Sequence, residues 1–297
     1  MNQTFISENH LSEYRLATTD VVCFSSHSEW LEVTGTDARG FLNRLLTNDI
    51  STLTEGKGCY TCLCTNKGKM ISDLYCFVSP SSSPRNRESN FYLEIPTSRI
   101  EIVKQTLSQY IIFEAVSISH HAFPIINKFG PKSTAAKSWL HKKLWGYDAY
   151  VRIGDTQDIS LSTISPNVQE ILRIESRTPK FGQDMDEATL PQEANLYDAL
   201  SFTKGCYVGQ ETIARLEHRG HVNKKLVLVK SRSQEEINLG SKIMSVQGEE
   251  VGWVTSCCYS PKYHAPIALG YLKFGAMSQV EFMIEKKCVE KIDLHTK

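Results

Sequence analysis

The pattern of apolar residues changes after Asn223, and this change constrains the fold more than any other feature of the chain. Beyond that residue, short runs rich in β-branched and aromatic residues are separated by Gly, Ser and Pro. Regularly spaced short strands of this kind are typical of a small β-barrel or β-sandwich. The runs are KKLVLVK, SKIMSV, EEVGWVTS, PIALGYLKF and QVEFMIE.

The chain upstream mixes strand-like and helix-like segments. VVCFSSHSEWLEVTG predicts one or two strands. Thr36 then caps a predicted helix, DARGFLNRLLTNDI, in which apolar side chains recur at helical spacing. CYTCLC and MISDLYCFVS, joined by the Gly-containing TNKGK, predict a β-hairpin. The apolar positions of the predicted helix are Phe41, Leu42, Leu45 and Leu46.

This alternation continues to the end of the N-terminal region. FYLEI predicts a strand, Pro96 opens a helix that runs to Tyr110, and YIIFEAVSI predicts further β-structure. The Ser-rich stretch at residues 79–90 predicts an exposed hairpin tip, and Ser165 caps a short helix that runs to Arg173. We therefore predict an α+β region over residues 1–222, made of two interleaved subdomains with helices on one face of a sheet, and a C-terminal β-barrel over residues 223–297.

Composition excludes several classes of protein. The formal net charge is zero at pH 7, so the total charge gives no indication of direct binding to nucleic acid or to an anionic membrane. No apolar run is long enough to cross a bilayer as a helix, and the first residues lack the basic character of a targeting peptide. Nine cysteines, an odd number, favour a reducing, cytoplasmic compartment over a disulfide framework.

The tetrapeptide KGCY occurs twice, and its first copy (residues 57–60) continues as TCLC. If this segment is a strand, Cys62 and Cys64 face one side of the sheet and Cys59 faces the other. Sulfurs that do not converge form a poor metal site. We therefore predict no metal here, and interpret these cysteines as small apolar core residues rather than as zinc or iron–sulfur ligands.

The second copy (residues 204–207) continues as VGQE and lies between glycines. The segment QETIARLEH predicts a helix, so Cys206 lies just before a helix N-terminus, with Lys204 two residues away. Both features favour a thiolate, which makes Cys206 a candidate reactive cysteine. The alternative is a Cys206 buried in a tight turn, with Tyr207 as a core residue. The local residues do not decide between these interpretations.

The sequence KGCYVGQETIAR resembles the signature of the YgfZ-type proteins, folate-binding relatives of the glycine-cleavage aminomethyltransferase. The resemblance extends along most of the chain. Further matching segments are VTGTDARGFLNRLLTNDI, KGKMISDL, RIESRTPKFGQDM, PQEANL and HRGHVNKKL.

The resemblance implies an aminomethyltransferase-like fold, in which α+β domains form a ring closed by a C-terminal β-barrel and tetrahydrofolate, or a one-carbon derivative of it, occupies the central channel. It also implies a role in the assembly, repair or maintenance of iron–sulfur clusters, with iron–sulfur enzymes or assembly factors as partners. These clients include enzymes that methylthiolate tRNA. Cys206, Lys204 and Tyr207 are the implied catalytic residues.

The resemblance also implies the folate contacts. Glu175 takes the place of the glutamate that binds the pterin, where a carboxylate accepts from a ring N–H and an exocyclic amine. Arg215, Arg219 and Lys225 are candidate partners for the anionic glutamyl tail. The remaining candidates are Asp73, Gln210, Glu211 and Asn48.

Two departures from the family pattern change what is expected. Aminomethyltransferases carry paired aspartates where this chain has Ser72–Asp73, which weakens the case for aminomethyl transfer. Arg177 replaces a glycine, so the loop there is either rearranged or directs the Arg towards the ligand. An aminomethyl- or methyltransferase and a non-catalytic folate-sensing scaffold are the alternative functions, and a thiol hydrolase lacks a nearby imidazole.

Overall fold

The computed structural model describes residues 6–79, 90–134, 139–152 and 161–292. Almost all of the predicted hairpin tip at residues 79–90 therefore lies outside the described residues. The described part contains helices α1 to α5 and strands β1 to β15. The helices are α1 Glu8–Thr19, α2 Ala38–Leu45, α3 Ile100–Gln109, α4 Pro166–Glu175 and α5 Gln210–Arg219.

The strands form two open sheets and a closed barrel. The N-terminal strands are β1 Val22–Ser26, β2 Ser28–Thr34, β3 Gly58–Cys64, β4 Met70–Val78, β5 Phe91–Pro96, β6 Ser117–His121, β7 Ile125–Phe129, β8 Trp139–Leu144 and β9 Tyr147–Arg152. The C-terminal strands are β10 Lys224–Ser231, β11 Lys242–Met244, β12 Glu250–Ser260, β13 Ala265–Lys273, β14 Glu281–Ile284 and β15 Lys287–Ile292.

The two N-terminal sheets have different strand orders. One has five strands in the order β3-β4-β5-β2-β6, and the other has four in the order β1-β7-β9-β8. The C-terminal strands close a six-stranded barrel in the order β10-β13-β12-β11-β14-β15. The predicted α+β class with a C-terminal barrel is confirmed. The predicted division at residues 222 and 223 stays a prediction, although the first barrel strand begins at Lys224.

Two local predictions need correction. The helix expected after Thr36 begins at Ala38, with Asp37 as its N-cap, and ends at Leu45 because Leu46 turns to extended backbone. The expected β-structure in YIIFEAVSI is confined to the start of β6, which begins at Ser117. Residues 111–116 form no strand, and Ile112 and Phe113 are exposed there.

The five-stranded sheet is covered on one face by helices, as predicted. Phe41, Leu42 and Leu45 of α2 pack into one cluster with Val103 and Leu107 of α3 and with apolar residues of the sheet. On the other face, Trp30 and Phe77 pack against residues of the four-stranded sheet. The two sheets therefore face each other, and helix α4 packs beside the space between them.

Helix α4 connects the sheets to the barrel. Its Val168, Ile171 and Leu172 pack with α1 and the four-stranded sheet. Ile174, near its C-terminal end, packs instead against Leu226 and other residues of the barrel. None of the helices in the described ranges is both long and apolar enough to span a membrane.

Candidate functional site

Two adjoining cavities lie between the sheets. The larger has a volume of about 690 Å³ and is lined by both sheets and by α4. The smaller has a volume of about 540 Å³. Tyr75, Leu144, Trp145 and Pro179 line both. Each volume lies within the range of about 300–1,000 Å³ that is typical of small-molecule sites. Together the two cavities form the candidate ligand site.

An ion pair joins the sheets across the larger cavity. Lys142 of β8 donates to Glu94 of β5 at 2.6 Å, and only 2% and 5% of the two residues are exposed. The Lys142 ammonium also lies 4.6 Å from the centre of the Tyr75 ring. Burial lowers the pKa of Lys142, and the neighbouring carboxylate of Glu94 opposes that shift. The pair therefore places two charges, each with its partner, in the wall of an otherwise largely apolar cavity.

Asp73 of β4 also lines the larger cavity. Its Oδ2 accepts a hydrogen bond of 2.7 Å from the hydroxyl of Tyr60, a residue that lines the smaller cavity. Its Oδ1 is buried without a hydrogen-bond partner among the described residues. Burial raises the pKa of the Asp73 carboxyl, and the Tyr60 hydrogen bond partly opposes that shift. A ligand donor facing Oδ1 would complete the hydrogen bonding of this carboxylate.

We expect Asp73→Asn to raise the thermal unfolding midpoint near neutral pH. The pKa of Asp73 is higher in the folded protein than in the unfolded chain. The fold therefore loses stability as the pH rises above the unfolded pKa, and this loss is complete once the pH exceeds the folded pKa. An asparagine keeps the acceptor for Tyr60 and removes the buried charge, which outweighs the unpaired amide N–H groups that it places at the Oδ1 position. The gain is expected to shrink as the pH falls to about 4, where the unfolded carboxyl is also protonated. An equal gain at both pH values would show that ionisation is not its cause.

The loop after α4 forms one wall of the smaller cavity. Arg177 lines it and has a φ of 60°, and Asn195, also in the wall, has a φ of 64°. Non-glycine residues in this region are uncommon and concentrate at functional sites. Arg177 therefore adopts the left-handed backbone conformation that usually favours glycine. It also lines the smaller cavity of the candidate ligand site.

Arg173 holds the start of this loop in place. Its guanidinium binds both oxygens of Glu170, donates to Asp184 at 2.7 Å and donates to the carbonyl of Thr178 at 2.7 Å. It also donates to the Ser256 hydroxyl in the barrel. One buried cation therefore fixes the loop relative to both α4 and the barrel.

Glu175 lies elsewhere. Among the described residues that line the two cavities, Glu175 is not found. Its Oε2 accepts from the Tyr14 hydroxyl at 2.8 Å, and its Oε1 accepts from the Ser260 hydroxyl and from the Lys262 backbone N–H. Burial and the Glu175 charge raise the pKa of Tyr14, so this phenol stays a donor. Both carboxylate oxygens thus have protein partners that join α1, α4 and the barrel.

The second KGCY segment exposes its cysteine. Cys206 is exposed, whereas the Tyr207 ring is buried. Neither residue is among the described residues that line the cavities. The structure thus agrees with one part of each interpretation of this segment. Tyr207 is a core residue, but Cys206 is exposed to solvent rather than buried in the turn.

The Lys204 ammonium binds backbone carbonyls at the C-terminal end of α2. It donates to the carbonyls of Asn43, Leu46 and Asn48 at 2.6, 2.7 and 2.7 Å, and none of its hydrogen bonds within the described residues reaches Cys206. Burial lowers the pKa of Lys204 to about 8, and the nearby charge of Asp49 opposes that shift. Lys204 therefore neutralises the carbonyl end of a helix rather than the Cys206 sulfur.

The two KGCY copies meet in the fold. Tyr207 packs in one apolar cluster with Cys62 and Cys64 of β3. Cys59 lies on the other face of that strand, against the cluster formed by α2 and α3. This confirms that the three cysteines do not converge. No group of three or more His, Cys, Asp or Glu side chains suited to a metal ion occurs in the described residues.

The other candidate folate contacts lie outside both cavity linings in the described structure. Asn48 donates to the carbonyls of Tyr60 and Asp198, two residues of the smaller cavity's wall, so it supports that wall. Gln210 begins α5, and Glu211 and Arg215 are exposed on that helix. Lys225 lies 4.9 Å from the centre of the Tyr197 ring, which lines the smaller cavity.

Sequence analysis missed Asn127 and Lys142, both fully or almost fully buried in the wall of the larger cavity. A signal was present for each. Asn127 lies on the same strand face as the apolar residues Ile125 and Phe129, two positions from each. Lys142 has the same relation to Leu140 and Leu144. Burying a polar residue on the apolar face of a strand costs free energy unless it is hydrogen-bonded, so such a position is a candidate ligand contact.

Comparisons with known proteins agree with the fold. Residues 2–144 match the GCVT N-terminal domain family, and residues 224–292 match the glycine cleavage T-protein C-terminal barrel domain family. The crystal structure of glycine cleavage system aminomethyltransferase T from Bartonella henselae superposes with a TM-score of 0.82 and 18% sequence identity, covering 96% of this chain and 88% of that one.

Two curated relatives are also similar over most of their length. An uncharacterised protein of Haemophilus influenzae is 28% identical over 232 residues, covering 76% of this chain and 80% of the relative. An aminomethyltransferase of Thermotoga neapolitana is 25% identical over 283 residues, covering 82% and 76%. The chain belongs to the glycine cleavage T-protein superfamily, with both its N-terminal domain and its C-terminal barrel.

Proposed function

We propose that this protein binds a reduced folate in the two adjoining cavities and, as a YgfZ-type member of its superfamily, supports iron–sulfur enzymes in the cytoplasm. The observation that carries the folate proposal is the cavity pair itself. Its walls combine aromatic rings with a few buried polar groups, and Asp73 presents an unpartnered acceptor there. A pteridine offers planar faces for such rings and N–H donors for such an acceptor.

The charges near the smaller cavity suit the other end of a folate. Lys143 lines this cavity, and Lys225 lies against Tyr197 in its wall. Either ammonium can pair with the anionic glutamyl tail. We therefore propose Lys225, one of the candidates from sequence analysis, and Lys143 for this role rather than Arg215. The pteridine then occupies the larger cavity. Because Tyr75 and Trp145 line both cavities, one folate molecule can extend from the larger cavity into the smaller one.

Calorimetric titration with tetrahydrofolate tests the ligand proposal. We expect saturable binding in the micromolar range or tighter. The Asp73→Leu variant is expected to weaken binding, because it removes the unpartnered acceptor from the cavity wall. Absence of heat with the wild-type protein at high micromolar tetrahydrofolate would exclude the folate proposal.

The iron–sulfur role rests on the complete KGCYVGQE match together with the exposure of Cys206. An exposed thiol beside a fixed turn can reach a partner enzyme or a cluster, which a buried thiol cannot. We propose Cys206 as the reactive group, and Lys204 and Tyr207 as the residues that fix its turn. The turn is tied down because Val208 N–H donates to the carbonyl of Arg44 at 3.2 Å.

A complementation assay tests Cys206. In a strain lacking this protein, Cys206→Ala is expected to leave iron–sulfur client activity near the level of the empty strain, while folding and folate affinity stay unchanged. Cys257→Ala is the matched control, since it removes a cysteine from barrel strand β12, far along the chain from the motif. Full restoration of client activity by Cys206→Ala would remove the thiol from the function.

Aminomethyl transfer is less well supported. Ser72, which stands where transferases carry a second aspartate, is fully buried and donates to the backbone carbonyl of Asp73 at 2.7 Å. It supplies neither a carboxylate nor a proton acceptor to the cavity. This leaves one carboxylate at that position, so we assign this protein binding of folate rather than turnover of its one-carbon unit.

A further inference from the structure

Asn127 is the most unusual polar residue in the larger cavity. It is fully buried in the middle of β7 and lines the cavity. On one side it pairs in register with Phe24 of β1, and on the other with Val151 of β9. Its side chain shares a sheet face with Ile125 and Phe129, where strand alternation requires apolar groups.

Both polar atoms of the Asn127 side chain are unpartnered. Its Oδ1 and its Nδ2 are buried and have no hydrogen-bond partner among the described residues. Leaving a buried donor or acceptor unpaired costs about 1–3 kcal/mol each, so a carboxamide is an expensive choice at this position. A hydrophobic residue of the same size would fill the space without that cost. A carboxamide lining a cavity is therefore explained if a ligand pairs with it.

The neighbouring charged groups do not satisfy Asn127. Lys142 and Glu94 are bound to each other at 2.6 Å, and Ser26 donates to the second oxygen of Glu94 at 3.4 Å. Asp73 lies in the opposite sheet and its Oδ2 is occupied by Tyr60. Among the described residues that line the larger cavity, three buried polar atoms lack a hydrogen-bond partner: the two of Asn127 and Oδ1 of Asp73.

Aromatic rings next to Asn127 indicate a flat ligand. Phe24, its neighbour in the sheet, stacks on Trp145 with ring centres 5.1 Å apart and an angle of 12° between the planes. Both rings line the same cavity as Asn127. A planar ring that lies along these aromatic side chains presents its edge, rather than its face, to the carboxamide.

We propose that Asn127 recognises the lactam edge of the bound heterocycle. In a ring lactam the amide is cis, so its N–H and C=O lie side by side. A side-chain carboxamide can pair with both through two hydrogen bonds, donating from Nδ2 to the carbonyl and accepting at Oδ1 from the N–H. The oxo form of a pteridine carries such a lactam, whereas the open-chain amide of the glutamyl tail is trans and presents these groups on opposite sides.

This inference rests on the proposed function and makes it more specific. It assigns recognition of the pteridine to Asn127, on the four-stranded sheet, because the carboxylate of Glu175 is already bound by Tyr14 and Ser260. Asp73, across the cavity, can then accept a hydrogen bond at Oδ1 from another N–H group of the same ligand. Two sheets thus contact one ligand from opposite sides.

Tetrahydrofolate titrations of the wild-type protein and of Asn127→Leu test the inference. The variant is expected to fold with an unfolding midpoint equal to or above that of the wild type, and to bind tetrahydrofolate on the order of tenfold more weakly or worse. Asn127→Ser, which keeps a hydroxyl but cannot span both lactam atoms, is expected to weaken binding similarly. It replaces Asn127→Leu if that variant fails to fold.

The outcomes separate the two proposals. If the wild-type protein does not bind tetrahydrofolate, the proposed function and this inference both fall. If the wild type binds and both variants bind equally well, only the assignment of Asn127 is wrong, and its carboxamide is solvated rather than a ligand contact. p-Aminobenzoylglutamate, which lacks the pteridine, is the matched ligand control: any affinity for it should be the same in all three proteins.

Discussion

Lys142→Met is expected to lower the free energy of unfolding by about 3–5 kcal/mol, the range found when one member of a buried ion pair is removed. The methionine fills most of the space of the lysine stem but leaves the Glu94 carboxyl almost fully buried, with only a hydroxyl at 3.4 Å to replace the lost ammonium. Urea denaturation followed by tryptophan fluorescence measures the loss.

Two controls define the origin of this loss. Lys143→Met removes the next ammonium along β8, which forms an exposed pair with Asp148, and is expected to cost at most about 1 kcal/mol. The double variant Lys142→Met/Glu94→Leu should recover most of the stability, because no uncompensated charge stays in the core. A single variant as stable as the wild type would mean that the ammonium of Lys142 does not compensate Glu94.

Gly209→Ala is expected to destabilise the protein by about 1–3 kcal/mol from backbone strain alone, since Gly209 has a φ of +87°. A steric clash adds to that strain. A Cβ at this position would lie 2.6 Å from the Thr65 carbonyl oxygen and 3.1 Å from the Cα of Gly68, both backbone atoms of the β3–β4 turn. The start of α5 would have to move away from the hairpin.

Gly205→Ala in the same motif is the matched control. A Cβ there meets nothing within 4 Å, and the φ of Gly205 lies outside the left-handed region. We expect its unfolding free energy to stay within about 0.5 kcal/mol of the wild type. Equal losses from both substitutions would show that general disturbance of the motif, rather than the contact with the hairpin, explains the effect.

Local pattern predicted most of the secondary structure. The β3–β4 hairpin, helices α4 and α5 and the barrel strands follow from apolar periodicity and from Gly and Pro positions, which act within a few residues. The predicted cap of α2 was wrong by one residue, because Thr and Asp are both favoured at N-caps and the local sequence does not distinguish Thr36 from Asp37. The strand prediction was wrong for residues 111–116, because an apolar composition does not reveal whether a neighbouring strand is available for hydrogen bonding.

The candidate site was harder to predict because its parts come from distant segments. Tyr60 and Asp73 lie on one sheet, Asn127 and Lys142 on another, and Arg177 after α4. The family resemblance indicated both Asp73, which lines the larger cavity, and Glu175, whose two oxygens accept hydrogen bonds from residues more than eighty positions away in the chain. Such long-range pairing leaves no local signal.

Long-range contacts also explain why the two KGCY copies differ in structure. The first copy is a strand whose cysteines fill two cores, and the second supplies an exposed thiol on a turn fixed by Lys204, Tyr207 and Gly209. Two identical tetrapeptides therefore have different roles because the residues after them differ: TCLC continues a strand, whereas VGQE turns into a helix.

The most direct test of the account is a crystal structure of the protein with tetrahydrofolate bound. We predict the pteridine in the larger cavity, with ring nitrogen or oxygen atoms within about 3 Å of Asp73 Oδ1 and of the Asn127 carboxamide. The glutamyl tail should extend past Trp145 towards Lys143. A pteridine located outside both cavities, or one bound by Glu175 after loss of its Tyr14 and Ser260 contacts, would contradict it.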